Sequence, residues 1–425
     1  MKTLDDALVG LPDYDPNALT VDAARSIVAR LAQPVEAIES VAVRSALDRV
    51  LGRDLISPLD VPAFDNAAMD GYAFAGDALA AGGVVRLAVA GRALAGRPFG
   101  GSACAGQCVR IMTGAHLPAG CDTVIPQELV QTDGDEVMFD ATAVQARRHV
   151  RYAGEDLAQG QPAMLAGKVL RPADIGLIAS LGIAEVPVRR RLRVAFFSTG
   201  DELRSVGQPL EPGTLYDSNR YTLFGMLTRL GVEVLDLGVV RDDPQALEAT
   251  LRVACRDADA IITSGGVSVG EADFTREMMA RLGEVAFWKI AMRPGRPFAF
   301  GRLDCDGRNA LLFGLPGNPA AVMSSFYQIV RDALFAMMGA APQPLPCLPV
   351  ATATAIAKRP GRTEFLRGIL ARDAAGQWQV TVAGAQGAGV LRTMSEANCF
   401  VVLEHGRGDV AAGETVGVTV FEGLV

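Results

Sequence analysis

Between residues 192 and 340, short apolar runs alternate with helical patterns, and this alternation restricts the fold more than any other feature of the chain. The runs are Arg193–Phe197, Glu233–Val239, Ala260–Ile262 and Ala310–Leu315. Helical patterns follow at Asn219–Leu230, Gln245–Cys255, Phe274–Leu282 and from Pro319 to Met338. Such an order specifies a doubly wound parallel sheet whose strands are buried on both faces. The run Ala260-Ile261-Ile262 leads into Thr263-Ser264-Gly265-Gly266-Val267-Ser268-Val269-Gly270-Glu271-Ala272-Asp273. Glycines here let the backbone turn sharply and come within hydrogen-bonding distance of a ligand. Ligands of open α/β sheets bind at such carboxyl ends. The loop matches neither GxxxxGK[ST] nor GxGxxG.

At 425 residues the chain is too long for a single core. A helix is expected after the N-cap Thr20, with Val21, Ala24, Ile27, Val28 and Leu31 on one face. A second helical pattern covers Val43–Leu51. Ser57–Ala73 is a turn-rich connection with two prolines, Asp65-Asn66 and Asp70-Gly71. Residues 71–150 read as a small, mostly β domain, and 151–192, with the apolar stretch Ile175–Leu181, as part of a second β-rich unit completed by 38–56. Four prolines in Pro342–Pro349 mark a linker, and the remaining short β patterns predict a small barrel or sandwich. The expected domains are 18–37 with 192–340 (α/β), 38–56 with 158–191 (β-rich connector), 57–157 (inserted, mostly β) and 341–425 (β-barrel).

A net charge of −8 argues against nucleic acid or an anionic membrane as the main partner. The basic clusters at Arg147, Arg148 and Arg151 and at Arg189–Arg193 read as solvated faces. Seven scattered cysteines and three isolated histidines (His116, His149, His405) offer neither a zinc site nor a histidine-based triad. The N-terminus lacks a signal-peptide apolar core and no run of 18 apolar residues occurs, so a cytoplasmic, reduced protein is expected.

Three groups of residues can do chemistry at the sheet's edge. Pro316-Gly317-Asn318-Pro319 specifies a helix start that exposes backbone donors, an anion site beside Ser264-Gly265-Gly266. The carboxylates Glu202, Asp242, Asp243 and Asp273 lie at strand ends, where oxygen ligands suit Mg²⁺ next to a phosphate. For Asp242 and Asp243, helix capping before Pro244 is the plain alternative. Lys289, Arg293 and Arg296 surround the rigid Pro294-Gly295 and can neutralise a dianion such as molybdate, sulfate or phosphate, the alternative being surface charges on a hairpin.

With these residues in view, the chain resembles the molybdopterin molybdenumtransferase family: bacterial MoeA and the related E domains of its plant counterpart and of gephyrin. The resemblance runs from Val21 to the C-terminal β region. It rests on Ser57–Tyr72 (SPLDVPAFDNAAMDGY), Arg110–Ala115 (RIMTGA), Ser198–Leu203 (STGDEL), Tyr216–Arg220 (YDSNR), Ser264–Asp273 (SGGVSVGEAD), Arg293–Phe298 (RPGRPF) and Leu315–Pro319 (LPGNP). It implies an elongated four-domain homodimer with the active site between subunits. The implied reaction inserts molybdate into adenylylated molybdopterin with Mg²⁺-dependent release of AMP. Its partners would be a molybdopterin adenylyltransferase upstream and molybdoenzyme maturation proteins downstream.

By motif, the resemblance assigns catalytic roles to Asp70, Thr113, Glu202, Asp242 and Asp273, with Glu202, Asp242 and Asp273 as metal ligands. Binding roles go to Ser264, Gly265, Gly266, Ser268, Lys289, Arg293, Arg296, Pro316, Gly317, Asn318, Arg367, Arg151 and Asp156. Two departures stand out. The family's usual lysines in KPGKP are Arg293 and Arg296 here, and Ala388 replaces the serine of GxQGS. Both leave the choice between molybdate and tungstate open. A non-catalytic pterin carrier or scaffold, and a molybdopterin adenylyltransferase, are the competing readings.

Overall fold

The computed structural model describes residues 3–9, 14–266, 278–279 and 281–421. Its centre is a six-stranded sheet made of β1 (Arg193–Thr199), β2 (Glu233–Val240), β3 (Ala260–Ser264), β4 (Gly283–Lys289), β5 (Pro297–Cys305) and β6 (Arg308–Leu315), in the spatial order β2-β1-β3-β6-β5-β4. The first four strands of that order are parallel, as the alternating pattern requires. β5 runs antiparallel to β6, because Asp306-Gly307 joins the two too tightly for a crossover helix, and β4 in turn pairs antiparallel with β5 at the sheet's edge.

Alternation along each strand sorts side chains between two cores. Val194, Phe196, Ile262 and Phe313 pack with Leu223 and Leu227 of α1 (Ser218–Leu230) and with Ile27 of the helix Val21–Leu31. Ala195, Phe197, Ile261 and Leu312 face Leu247 and Leu251 of α2 (Pro244–Asp257). Each fully buried Leu or Phe contributes about 1.5–3 kcal/mol, so both helical layers are firmly held. Register then aligns the strand ends: Ser198 pairs with Ser264, and Ser264 with Leu315. The expected helix Phe274–Leu282 falls mostly outside the described residues. The helix starting at Pro319 runs as α3 (Pro319–Ser325), a π-helical turn (Phe326–Val330) and α4 (Arg331–Met337).

Two local expectations are corrected. Residues 43–51 do not form a helix. Only Val43–Ser45 makes a 3₁₀ turn, after which Val50 and Leu51 form bridges with Val169 and Val188 and bury themselves. Conversely, Pro172–Ser180 is an α-helix inside the unit read as β-rich. Pro172 sits at its first position, and Asp174 accepts the Arg171 amide at 2.8 Å. These pieces surround the antiparallel pair Ile38–Ala42 and Glu185–Arg189.

Residues 71–140 form a separate six-stranded sheet in which Gly71–Phe74 lies between Gln107–Ile111 and Thr123–Pro126. At the C-terminus, Thr363–Arg372, Trp378–Val382, Leu348–Thr352, Thr415–Val420 and Cys399–Leu403 close into a five-stranded barrel through the pairing of its first and last strands. Met292–Arg293 pairs with Thr363 and Glu364, tying the barrel to the central sheet. No helix among the described residues is long and apolar enough to cross a membrane.

Candidate functional site

The carboxyl edge of the central sheet gathers most of the candidate residues. From Phe196 to Ser198 the pairing advances two residues in β1 but three in β2, from Asp236 to Val239, so β2 bulges near its end beside β1. There the Thr199 hydroxyl donates to Asp242 Oδ1, tying two strand ends through one carboxylate. Asp242 donates its own N–H to Asp201 Oδ1 at 3.4 Å. Asp243, not Asp242, is the helix cap: it accepts the Ala246 amide at 2.8 Å. Glu202 is exposed but folds back over Gly200, where an added Cβ would lie 2.6 Å from Glu202 Oε2. Gly200 therefore allows this carboxylate to sit on the loop.

On the other side of β1, Gly265 (φ +96°) donates to the Leu315 carbonyl at 3.1 Å, and an added Cβ would lie 2.4 Å from the Thr199 carbonyl oxygen. Only glycine fits there. The turn Pro316–Asn318 lies alongside, since a Cβ added to Gly317 would sit 3.9 Å from Gly265 Cα. Asn219, in the first turn of α1, bridges the two: its Nδ2 donates to Ser264 Oγ at 2.7 Å and to the Gly317 carbonyl at 2.7 Å. Ser268 and Asp273 lie outside the described residues.

The helix start at Pro319 is less open than the sequence implies. Asn318 occupies the N-cap position without a side-chain cap bond, and its carbonyl accepts the Ala321 and Val322 amides at 3.0 Å each. The Ala320 amide donates to the Ala388 carbonyl at 3.0 Å, so the barrel loop takes a donor that the sequence leaves free. Position 388, where a serine was expected, thus lies directly at this helix start.

The cations approach from the barrel side. Arg293 is half-exposed and 3.6 Å from Glu364, a carboxylate with 2% side-chain exposure that Arg362 also meets at 2.8 Å. Lys289 and Arg296 form no ion pair among the described residues. Gly295 (φ +104°) turns the chain between Arg293 and Arg296, and Ser325 Oγ fills the place of its missing Cβ. Arg367 is fully buried, with no carboxylate partner among the described residues. It donates to the carbonyls of Ala385, Gln386 and Gly387 at 3.0, 3.3 and 3.0 Å, and to Thr393 Oγ1 at 3.2 Å. Burial, and then the charge of Arg293, push its pKa down from the usual arginine value. Three of these bonds grip consecutive carbonyls, which makes Arg367 a scaffold for the 385–387 stretch.

A second group belongs to the sheet of residues 71–140. The Thr113 amide and hydroxyl both donate to Asp70 Oδ1, at 2.7 and 2.6 Å. These bonds, the hydroxyl's foremost, hold the Asp70 carboxyl below its ordinary 3.8. Arg151 pairs with Glu155 at 2.7 Å, and the Asp156 amide donates to the Val61 carbonyl at 3.0 Å. No hydrogen bond or ion pair among the described residues joins Asp70, Thr113, Arg151 or Asp156 to the sheet-edge group.

Residue-by-residue reading missed the clamp residue Asn219, although it sits in the YDSNR motif. It also missed a polar cavity of about 760 Å³ next to Asp242, whose walls include Gly200, Asp201, Arg204, Arg220 and Arg241. No group of three or more His, Cys, Asp or Glu side chains suited to a metal ion occurs among the described residues.

Known proteins resemble this chain along nearly its whole length. A molybdopterin molybdenumtransferase of Haemophilus influenzae is 42% identical over 409 residues, covering 96% of this chain and 100% of its own. The chain belongs to the molybdopterin molybdenumtransferase family. Residues 19–182 match the MoeA N-terminal region (domain I and II), 195–336 the probable molybdopterin binding domain, and 349–421 the MoeA C-terminal region (domain IV). Molybdopterin molybdenumtransferase 2 of Mycobacterium tuberculosis is 35% identical over 88% of this chain and 93% of its own. The crystal structure of a molybdopterin biosynthesis MoeA protein from Pyrococcus horikoshii OT3 superposes with a TM-score of 0.81 at 26% identity, covering 95% of this chain and 100% of that one. As a molybdenumtransferase, the chain is an enzyme of molybdenum cofactor biosynthesis, and neither the carrier nor the adenylyltransferase reading is favoured.

Proposed function

We propose that this transferase takes adenylylated molybdopterin and molybdate, inserts molybdenum into the dithiolene and releases AMP with the help of Mg²⁺. The observation that carries this reading is the meeting of Thr199–Asp242, Ser264–Gly266 and Pro316–Asn318 at one sheet edge. Backbone donors and the Ser264 hydroxyl in the two glycine turns hold pterin or nucleotide phosphate oxygens. Glu202, Asp242 and Asp273 supply hard carboxylate oxygens, the ligand type Mg²⁺ takes, and Thr199 occupies only one oxygen of Asp242. When bound, the cation offsets negative charge on the pyrophosphate.

Lys289, Arg293 and Arg296 bind the oxyanion, and Arg367 holds the 385–388 loop beside it. Two forked arginines at this point favour bidentate oxyanion contacts over the point charges of lysines. Asp70, Thr113, Arg151 and Asp156 complete the site from the second subunit of a homodimer, which accounts for their separation from the sheet edge within one chain. The domain limits 18–37 with 192–340, 38–56 with 158–191, 57–157 and 341–425 fit this division of labour. The enzyme works in the cytoplasm, between an adenylyltransferase that supplies its substrate and maturation proteins that accept its product.

The test is AMP release from adenylylated molybdopterin with Mg²⁺, in the presence of molybdate, of tungstate, and of neither. Oxyanion-dependent release whose product activates a cofactor-free molybdoenzyme supports the reading and ranks the two ions. Tight binding without release under any condition overturns it.

A further inference from the structure

We propose that Asn219 is a positioning residue that locks the two ligand turns of the sheet edge into one binding surface. The side-chain assignment follows from chemistry. The Gly317 carbonyl can only accept, so the atom 2.7 Å from it is the amide nitrogen, and the same nitrogen donates to Ser264 Oγ at 2.7 Å. Both protons of that NH₂ group are therefore used, one on each turn. The turns are 45 and 98 residues away from Asn219 in sequence, and one planar amide sets their spacing.

The clamp is itself rigid. Asn219 lies at the start of α1, where the Asp217 side chain accepts the Arg220 amide at 3.1 Å and the Asp217 amide donates to the Arg204 carbonyl at 3.0 Å. Asn219 is 7% exposed, and a residue fixed by a helix cap and by burial holds geometry better than a loop residue.

A second observation separates this amide from ordinary core filling. Among the described residues, Asn219 Oδ1 is buried with no hydrogen-bond partner, and so are Ser198 Oγ and Asp217 Oδ2 nearby in the chain and register. A stability role alone favours a side chain that satisfies both its ends. Here the donor end is fully used on the turns while the acceptor end stays unfilled, as expected when the donor's geometry is what matters.

This inference rests on the reading of Ser264–Gly266 and Pro316–Asn318 as ligand turns. Asn219→Ala removes both bonds and is expected to raise the KM for adenylylated molybdopterin about tenfold, with a smaller change in kcat. Asn219→Asp keeps the shape but turns the donor into an acceptor facing the Gly317 carbonyl. Its affinity is expected to recover in part as pH falls and the carboxyl gains one proton to donate, enough for one of the two bonds, a response absent from the wild type. In a cycle with Ser264→Ala, the double variant is expected to lose less than the sum of the single losses. Wild-type KM in Asn219→Ala, or strict additivity with Ser264→Ala, overturns the positioning role. Should Asn219→Ala not fold, the pH response of binding in Asn219→Asp decides, and a flat response counts against the proposal. Failure of the wild type itself to bind adenylylated molybdopterin overturns the reading of the turns instead, so the two failures are distinct.

Discussion

Two threonine–aspartate pairs, built alike, sit in different surroundings. At the central sheet, the Thr199 hydroxyl meets Asp242 and fastens the end of β1 to the loop that follows β2, with the Gly265 turn packed on the Thr199 carbonyl. In the sheet of residues 71–140, the Thr113 hydroxyl and amide both meet Asp70, on an exposed face with no further bond to the sheet edge. The first pair is locked by neighbouring elements, so its geometry is part of the fold. The second ties the start of Gly71–Phe74 to the turn after Gln107–Ile111 but lies open to solvent. The contrast shows one chain carrying an acidic group of each kind, one enclosed at the edge of the central sheet and one presented outward.

The comparison is broken most severely at Gly265. Gly265→Ala forces a left-handed alanine against the Thr199 carbonyl and is expected to cost about 3 kcal/mol, read as a lowered urea midpoint, with loss of AMP release. Asp242→Asn is expected to lower AMP release on the order of 10²-fold with the urea midpoint little changed, because it removes a preorganised charge. Thr199→Val, which removes only the hydroxyl, is expected to cost about tenfold by the same assay. Asp70→Asn should leave stability within about 0.5 kcal/mol, since the side chain is solvated, while slowing AMP release. If Asp70→Asn destabilises the chain as Gly265→Ala does, the distinction between the two pairs fails.

The smallest effect is a titration. The Asp70 carboxyl is depressed below 3.8 by bonds from Thr113, so its contribution is present above that value and is lost as pH falls through the lower folded value. The amide signal of selectively labelled Thr113 should therefore shift with a midpoint below 3.8. Thr113→Val, which keeps the amide bond but removes the hydroxyl, should move the Asp70 midpoint back upward.

Much of this was legible in the chain. The strand Ala260–Ser264 and its glycine turn follow from an uninterrupted β-branched run and paired glycines, and Pro319 announces its helix. Residues 43–51 misled because Val43, Leu47, Val50 and Leu51 carry helical spacing, yet Val50 and Leu51 bury themselves through bridges to residues more than a hundred positions away. Pro172 and Asp174 did signal a helix start, but the short Ile175–Leu181 stretch reads equally as a strand. The Asn219 clamp and the grip of Arg367 on residues 385–387 were not legible residue by residue. A polar side chain's partners across the fold leave no periodic mark in its own segment.

The bond from the Ala320 amide to the Ala388 carbonyl has a thermodynamic consequence. It couples the seating of the barrel to the state of the helix start beside Pro316–Asn318. A ligand that prefers the seated arrangement tightens the barrel, and a change in the barrel loop alters that ligand's affinity by the same factor, because such linkage is reciprocal. Slowed deuterium uptake at Ala320 on substrate binding would report this coupling directly, and the terminal barrel would then act as an adjustable counterweight to the site.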